Sequence, residues 1–346
     1  MVVSNLVSSF EILKSIYKIR FLGQRIPLYC EWEVTHYCNM SCAWCSTLTP
    51  ARNTAADLST EEALDIIDQL GELGTRAIHF SGGEPTLRKD LPELIMRAKK
   101  NRMMVCLTTN GSAPPSVFDK LLYADIIRVS IDGTEKFHDD QRVYQGAYNK
   151  AIKTLEFLIS KGHKPIIASF YKDESSYPML VELAKTCRDL GVQLGLSMYQ
   201  AYHGGNGWMM SHGNGKENNL GTMYLSAIDR LKNKFGDTIV DPGPYASVVR
   251  LEGLDVYGCR AMDSSISIQA DGSVFLPCPS FPQKVSKGNL KTIYYGPEAE
   301  EIHSIQGKMP ECGGCLARCM ISASAMLNFK GQLSLFRTYA KSFLSS

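Results

Sequence analysis

The stretch that decides the fold runs from residue 33 to residue 45: Glu33-Val34-Thr35-His36-Tyr37-Cys38-Asn39-Met40-Ser41-Cys42-Ala43-Trp44-Cys45. Its three cysteines are spaced C-x3-C-x2-C and directly follow residues 28–34, an apolar and aromatic run that predicts a β-strand. Three thiolates on a short loop can hold three irons of a [4Fe–4S] cube, whereas a complete protein ligand set has four cysteines. The fourth iron is therefore predicted to stay open for a ligand that is not protein.

Downstream of this stretch, strand-like and helix-like segments alternate. Predicted strands cover 28–35, 76–80, 103–108, 126–131, 165–170 and 193–198, and predicted helices cover 59–73, 91–101, 116–122, 147–160, 177–190 and 220–235. Such alternation predicts an α/β fold with a parallel sheet and right-handed crossovers. Six units fit either an open doubly wound sheet or an incomplete β/α barrel.

Distinctive residues follow the predicted strands. The second strand is followed by Ser81-Gly82-Gly83-Glu84-Pro85, the third by Thr109-Asn110-Gly111, and the fourth ends in Ser130-Ile131-Asp132-Gly133. Ligands of parallel α/β folds bind at the carboxyl ends of the strands. We therefore expect these turns to line one site together with the three cysteines.

The β/α rhythm stops past Pro242, which places a domain boundary near 240–258. Residues 265–269 and 273–276 flank an Asp-Gly turn and predict a β-hairpin. The remaining cysteines surround this hairpin: Cys259, Cys278, Cys312, Cys315 and Cys319. Four thiolates complete the ligand set of a second [4Fe–4S] cluster, and a structural zinc site is the alternative.

Composition excludes several classes. The 346 residues carry a net charge of +2 without a long single-sign block, which gives no basis for binding nucleic acid. Eleven cysteines, an odd number, in a chain whose start lacks a signal-peptide pattern argue against a disulfide framework and for a cytoplasmic protein. Cys30, Cys106 and Cys187 are interpreted as small buried apolar residues, with hydrogen-atom donation to a substrate radical as an alternative.

Residues 4–22 have apolar side chains at helical spacing and nearby lysines and arginines. One interpretation is an amphipathic helix packed on the body of the protein. The other is a helix that rests on a membrane surface. No run reaches the length of a membrane span.

The cysteine loop, the Gly-Gly-Glu-Pro turn and the Ser-x-Asp-Gly strand end, in this order on a β/α frame, resemble the radical S-adenosylmethionine (SAM) enzymes over about residues 28–200. The resemblance implies an α/β fold in which a partial (β/α)6 TIM-like barrel precedes a small, hairpin-containing, cysteine-rich auxiliary domain. The corresponding division is an amphipathic helix at 1–27, the barrel at 28–240, a SPASM/twitch-type auxiliary domain at 241–330 and a tail at 331–346.

The resemblance also implies cofactors and their ligands. Cys38, Cys42 and Cys45 are expected to bind a [4Fe–4S] cluster whose open iron takes the amino and carboxylate groups of SAM. The tail resembles the twitch form, so four of its five cysteines are expected to hold one auxiliary [4Fe–4S] cluster, and Cys319 is a further candidate for hydrogen donation. The residues expected to contact SAM are Trp44, Gly82, Gly83, Glu84, Asn110, Ser130, Asp132 and Arg142.

Plain structural roles stay open for four of these residues. Trp44, expected at the adenine, could be core packing. Ser130 and Asp132, expected at the ribose or methionine, could cap a turn. Arg142, expected at the SAM carboxylate, could be a solvated charge.

The implied activity is reductive cleavage of SAM to a 5′-deoxyadenosyl radical that abstracts hydrogen from a substrate. About 27 residues precede the first strand, too few for a peptide-recognition domain, which favours oxidation or epimerisation of a sugar-like, cyclitol-like or other small substrate. The alternatives are a maturase of ribosomal peptides, a lipid-modifying enzyme at a membrane surface and an iron–sulfur electron carrier. Expected partners are the substrate, a reductase, flavodoxin or ferredoxin as electron donor, and a membrane through the N-terminal helix.

Overall fold

The strands of this computed structural model form one sheet. The model describes residues 2–42, 45, 56–198, 220–240, 243, 245–246, 258–276, 278, 284–285, 288–309, 312 and 318–327. Within these ranges the strands are β1 Tyr29–Glu33, β2 Ala77–Ser81, β3 Met104–Thr109, β4 Ile126–Ser130, β5 Ile166–Tyr171, β6 Gln193–Met198, β7 Ser265–Ile268, β8 Val274–Phe275 and β9 Lys284–Val285.

Their order in the sheet is β6-β5-β4-β3-β2-β1-β7-β8-β9. Strands β1 to β6 pair in parallel with their sequence neighbours, as strands joined by helical crossovers do. The arrangement is a partial TIM-like barrel, which confirms the predicted α/β fold.

Helices follow the strands along the chain. In the described ranges they are α1 Val2–Phe21, α2 Thr60–Leu73, α3 Leu91–Lys100, α4 Pro115–Phe118, α5 Glu135–Arg142, α6 Ala147–Ser160, α7 Tyr177–Leu190, α8 Leu220–Phe235, α9 Ala261–Ser264, α10 Leu290–Tyr295, α11 Pro297–Ile305 and α12 Arg318–Met326. The capping box of Ser59 and Glu62 starts α2, and Gly74 ends it in the left-handed conformation, as predicted. The helix predicted over 116–122 is shorter: α4 stops at Phe118, and turns continue the chain.

The two faces of the barrel strands differ. On β4, Ile127 and Val129 are fully buried in the apolar core that the helices share. Arg128 and Ser130 alternate with them on the other face and are half-buried. Side chains of successive strand residues point to opposite faces, so the second face is the inside of the barrel.

The predicted hairpin is present, and it is attached to the barrel sheet through β1. Strands β7 and β8 are antiparallel around the Asp271-Gly272 turn, as predicted, but β7 also pairs in parallel with β1. The indole of Trp32 donates to the carbonyl of Gln269 at 3.2 Å. The cysteine-bearing C-terminal part is therefore joined to the strand that carries the cysteine loop. The division of the chain near 240–258 stays a prediction.

Helix α1 is anchored by one of its faces. Ile16 and Ile19 are buried against Leu28 and Leu327. In the described part of the chain, no helix is both long enough and apolar enough to cross a membrane.

Candidate active site

The cysteine loop leaves the carboxyl end of β1 and is fixed by hydrogen bonds. Asp57 accepts from the Thr35 hydroxyl at 2.6 Å and from the backbone N–H of His36 at 3.0 Å. Its carboxylate also lies 3.0 Å from Nδ1 of His36. One carboxylate thus orients the chain as it turns towards the cysteines.

The three cysteines lie together beyond this turn. Cys38 and Cys45 pack against the buried cluster of Met40, Cys42 and Ala147, and the N–H of Cys45 donates to the Cys42 carbonyl at 3.1 Å. Burial raises the pKa of the Cys38 thiol to about 11, although the N–H of Met40 donates to its sulfur. Burial also raises the pKa of Cys42, while the Arg142 charge opposes it. Thiolates here need a strong positive partner, which is what iron provides.

This donor set fits an iron–sulfur cluster. Each cysteine of a cluster binds a different iron, so the thiols have to be grouped but do not have to converge on one point. Among the described residues, no group of three His, Cys, Asp or Glu side chains converges on a single-ion site.

The Gly-Gly-Glu turn after β2 packs directly on the cysteine loop. The N–H of Gly83 donates to the Thr35 carbonyl at 2.8 Å, and that of Glu84 donates to the Tyr37 carbonyl at 2.7 Å. A Cβ added at Gly83 would lie 2.1 Å from the Tyr37 oxygen, and Gly82 has a φ of +136°. The glycines therefore permit a close approach between two backbones. Their expected approach to SAM stays a prediction.

Glu84 is buried, and both of its carboxylate oxygens accept hydrogen bonds. Oε1 accepts from the hydroxyls of Thr86 at 2.5 Å and Thr109 at 2.6 Å, and from the N–H of Thr86 at 3.0 Å. Oε2 accepts from the N–H of Asn110 at 2.7 Å. Glu84 thus joins the ends of β2 and β3.

Asn110 continues this connection to the cysteines. Its side-chain amide donates to Oδ1 of Asn39 at 3.0 Å, and Asn39 donates to the Ser112 hydroxyl at 2.8 Å. Asn39 stands between Cys38 and Cys42 in sequence. The end of β3 is therefore tied to the cysteine loop through Asn110.

Asp132 and Arg142 form a buried ion pair with two hydrogen bonds. The guanidinium donates to Asp132 from Nε at 2.6 Å and from Nη2 at 2.9 Å. Its Nη1 points at the sulfur of Cys42 at 4.0 Å. Burial disfavours ionisation of Asp132, yet Arg142 holds the pKa of this carboxyl below its ordinary value. The solvated-charge alternative for Arg142 is therefore wrong, because its side chain is 9% exposed.

Two more residues were expected to contact SAM, Ser130 and Trp44. Ser130 ends β4 on the inner face of the barrel and is half-buried. Trp44 lies outside the described residues. The SAM-binding roles of the whole set stay predictions.

The auxiliary cysteines are described in part. Burial raises the pKa of the Cys259 thiol, and the charge of Cys312 raises it further. These two cysteines are therefore near each other in the C-terminal part. Cys278 is buried beyond β8. Cys315 lies outside the described residues, and of Cys319 the structure describes only its position in α12.

Two of the three remaining cysteines match the interpretation as small buried apolar residues, and Cys106 does not. Cys30 and Cys187 are fully buried, and burial raises the pKa of Cys187 to about 12. Cys106 is half-buried on the inner face of β3, opposite His79 in the ladder, and burial raises its pKa to about 11. Hydrogen-atom donation by Cys106 stays a prediction. These three thiols are not in disulfides.

Three residues that the sequence did not single out hold together the rim of the barrel. The rim consists of the cysteine loop after β1 and the turns that follow β2, β3 and β4. Arg88 is buried and donates to the carbonyls of Val34 at 2.8 Å and Leu58 at 3.0 Å. Asp57 and Asn39 orient the cysteine loop, as described above. The position of Asn39 inside the cysteine motif could have indicated a role in orienting the loop. Arg88 and Asp57 lie in no motif that would have indicated theirs.

Similarity to known proteins agrees with this site. The family model described as the radical SAM superfamily matches residues 32–172. Fe-coproporphyrin III synthase of Methanosarcina barkeri is 36% identical over 136 residues, which cover 38% of this chain and 34% of the relative. PqqA peptide cyclase of Granulibacter bethesdensis is 32% identical over 164 residues, covering 44% of this chain and 42% of the relative. The chain thus spans less than half the length of these curated relatives.

Solved structures agree on the fold. SuiB of Streptococcus suis superposes with a TM-score of 0.65 at 19% identity, covering 88% of this chain and 75% of SuiB. The radical SAM model begins inside β1 and ends just after β5, so it includes the cysteine loop and every turn described at the rim. Residues 32–172 of this chain are therefore a domain of the radical SAM superfamily.

Proposed function

We propose that this chain is a radical SAM enzyme that modifies a peptide. The observation that carries the proposal is at the rim of the barrel. The Gly-Gly-Glu turn after β2, Asn110 after β3, and Arg142 of α5, which is paired with Asp132 after β4, all contact the three-cysteine loop. A carrier of electrons needs its cluster ligands but has no need of such a rim, which speaks against that alternative.

Cys38, Cys42 and Cys45 are proposed to hold the SAM-binding [4Fe–4S] cluster. With SAM bound, such a cluster supplies the electron that starts radical chemistry on the substrate. The chain's part is to fix the loop and to keep one cluster position free of protein. Asp57, Glu84 and Asn110 fix the loop, and Arg142 aims a cation at the Cys42 sulfur.

Roles towards SAM itself are proposed for residues at the same rim. Gly82, Gly83, Ser130 and Trp44 would line the cofactor. Asp132 and Arg142, which bind each other, would act mainly by positioning Cys42 and the end of β4. Four of Cys259, Cys278, Cys312, Cys315 and Cys319 would hold an auxiliary [4Fe–4S] cluster, and the proximity of Cys259 and Cys312 supports this.

A peptide is the substrate class that the comparisons favour. One relative is a peptide cyclase by name, and another is the mycofactocin maturase MftC of Mycolicibacterium smegmatis, 30% identical over 175 residues that cover 50% of this chain and 44% of MftC. Structures with the same fold include SuiB bound to its precursor peptide SuiA. Nothing in the comparisons supports the sugar-like or cyclitol-like substrate that the sequence favoured.

The activity test is anaerobic reduction of the iron-loaded protein with dithionite in the presence of SAM. We expect 5′-deoxyadenosine from the wild type and none above background from Cys42→Ala. Short peptides encoded beside the gene are then added, and a change in peptide mass that requires SAM identifies the substrate. No 5′-deoxyadenosine from protein that contains iron would favour the electron carrier.

An external one-electron donor and a membrane contact are further proposals. Helix α1 exposes Leu13, Tyr17 and Phe21, spaced four residues apart, and Lys14 and Lys18 flank this stripe. Apolar residues bordered by lysines are typical of helices that rest on anionic membranes. Flotation with phosphatidylglycerol vesicles tests this contact, and a protein that stays at the bottom of the gradient would exclude it.

A further inference from the structure

The inner face of the barrel carries charged and polar side chains one layer below the cysteine rim. Tyr29 and Glu31 lie on β1, His79 on β2, Thr108 on β3 and Arg128 on β4. Each of them alternates with fully buried core residues, so all five face the same side of the sheet. Arg128 stands two residues before Ser130, the last residue of its strand.

Four of these side chains are connected to one another. Nε2 of His79 lies 2.7 Å from the Thr108 hydroxyl, and Nδ1 lies 3.3 Å from the Tyr29 hydroxyl. The carboxylate of Glu31 is 3.8 Å from Nδ1 of the same ring. Burial and the Arg128 charge lower the pKa of His79 to about 3. His79 is therefore neutral at physiological pH, which leaves Arg128 as the positive charge of this layer.

Arg128 differs from its neighbours. Its Nε is shielded from solvent and has no hydrogen-bond partner, and no carboxylate of the described residues lies within ion-pair distance of its guanidinium. Buried N–H groups without a partner are rare in native proteins and costly, and the cost is higher in a charged group. By contrast, the two buried arginines at the rim, Arg88 and Arg142, are each paired with an aspartate.

We propose that Arg128 binds a carboxylate of the substrate. The inference rests on the proposed function, because it assigns a chemical feature to the peptide that the barrel receives. A guanidinium binds a carboxylate through two parallel hydrogen bonds, which would satisfy the buried Nε. Glu31 on the far side of the layer repels a second negative charge, which favours a singly charged carboxylate over a doubly charged phosphate. A substrate held at this depth would extend upwards past Ser130 to the cysteine rim.

The test measures binding of small probes to the anaerobically iron-loaded full chain without SAM, by ligand-observed NMR. The probes are N-acetylglutamate α-amide, N-acetylglutamine amide, which lacks the charge, and inorganic phosphate. We expect the carboxylate probe to bind about tenfold or more tightly than the amide, as for a hydrogen bond to a charged group. Arg128→Gln should abolish this preference, and Arg97→Gln, which removes an arginine paired with Asp68 at the surface, should keep it.

Two outcomes would overturn the proposal: equal binding of the carboxylate probe and N-acetylglutamine amide to the wild type, or a preference for the carboxylate probe that survives in Arg128→Gln. So would phosphate that competes better than the carboxylate probe. Because SAM is absent, these outcomes are independent of 5′-deoxyadenosine formation, which tests the proposed function.

A second variant covers the case in which Arg128→Gln does not fold. Ile166 is the neighbour of Arg128 in the ladder between β4 and β5 and faces the same side. Ile166→Glu would place a carboxylate beside the guanidinium. We expect it to raise the melting temperature relative to Ile166→Gln and to remove the carboxylate preference of the barrel. Equal melting temperatures of the two variants would show that Arg128 needs no anion.

Discussion

The rim and the inner layer of the same barrel use their charges differently. At the rim, Asp132 binds Arg142, and Glu84, which follows β2, accepts from Thr109 and Asn110 at the end of β3. One layer down, Arg128 keeps a buried Nε without a partner. A layer whose charges satisfy one another holds a fixed geometry, as a cluster loop requires. A layer with a shielded N–H that has no partner can gain a hydrogen bond when a ligand binds.

The largest expected effect concerns the loop that the rim holds. Cys42→Ala removes one of the three proposed cluster ligands, so we expect loss of about four irons per chain and of all 5′-deoxyadenosine formation. Iron analysis and chromatography of the products measure both. Cys187→Ala, which changes a buried thiol of α7, is the control and should keep iron and activity. Full activity of Cys42→Ala would show that the loop does not hold the cluster.

The next effect tests whether the rim charges depend on each other. Asp132→Asn leaves Arg142 buried without its anion, which should cost about 3–5 kcal/mol of the free energy of unfolding. Urea denaturation measures this. The matched control is Asp68→Asn, whose exposed pair with Arg97 should be worth about 1 kcal/mol or less. Because the native pKa of Asp132 is lowered, the difference from wild type should start to shrink once pH falls below the unfolded value of about 4 and should be lost as pH falls through the lower native pKa. Equal effects of the two substitutions would contradict a special role for the buried pair.

Glu84→Gln should have a smaller effect. The amide offers one oxygen in place of two, so its NH2 would face either the Thr109 hydroxyl at the Oε1 position or the Asn110 N–H at the Oε2 position. We expect a loss of about 1–3 kcal/mol in the same denaturation experiment, together with less iron retained on gel filtration. Glu182→Gln on the exposed face of α7 should change neither quantity. A variant as stable as wild type would mean that Glu84 does not join the strand ends.

The inner layer predicts an effect of similar size that appears only as the pH is lowered. His79 has a native pKa of about 3, whereas the unfolded chain has the ordinary value near 6.5. Between these values the unfolded state binds more protons, so acid favours unfolding. Between pH 6.5 and 5 wild type should lose about 2 kcal/mol more stability than His79→Gln. Parallel pH profiles of the two proteins would show that Arg128 and burial do not depress this histidine.

The features that could be predicted from the sequence are those set by residues close together in the chain. The barrel strands, the helix ends at Ser59 and Gly74 and the position of the cysteines at a strand end all follow from local periodicity and capping. The Gly-Gly-Glu turn was placed at the correct strand end, although its nearest partner is the cysteine loop.

The rest depends on contacts between residues far apart in sequence. Asp57 binds His36 across 21 residues, and Arg88 reaches Val34 across 54. Pairing of β7 with β1 joins segments separated by most of the chain. Periodicity within one segment carries no information about such partners, so these contacts could not be predicted from it. The same holds for Arg128, whose neighbours His79, Thr108 and Ile166 come from three other strands.

The central claim is that the rim keeps one position of a three-cysteine cluster open for SAM. Electron paramagnetic resonance of the dithionite-reduced protein, recorded with and without SAM, tests it most directly. We expect SAM to change the spectrum of the reduced cluster in wild type and to have no effect in Cys42→Ala. A wild-type spectrum that contains a reduced [4Fe–4S] signal but does not change with SAM would contradict the claim.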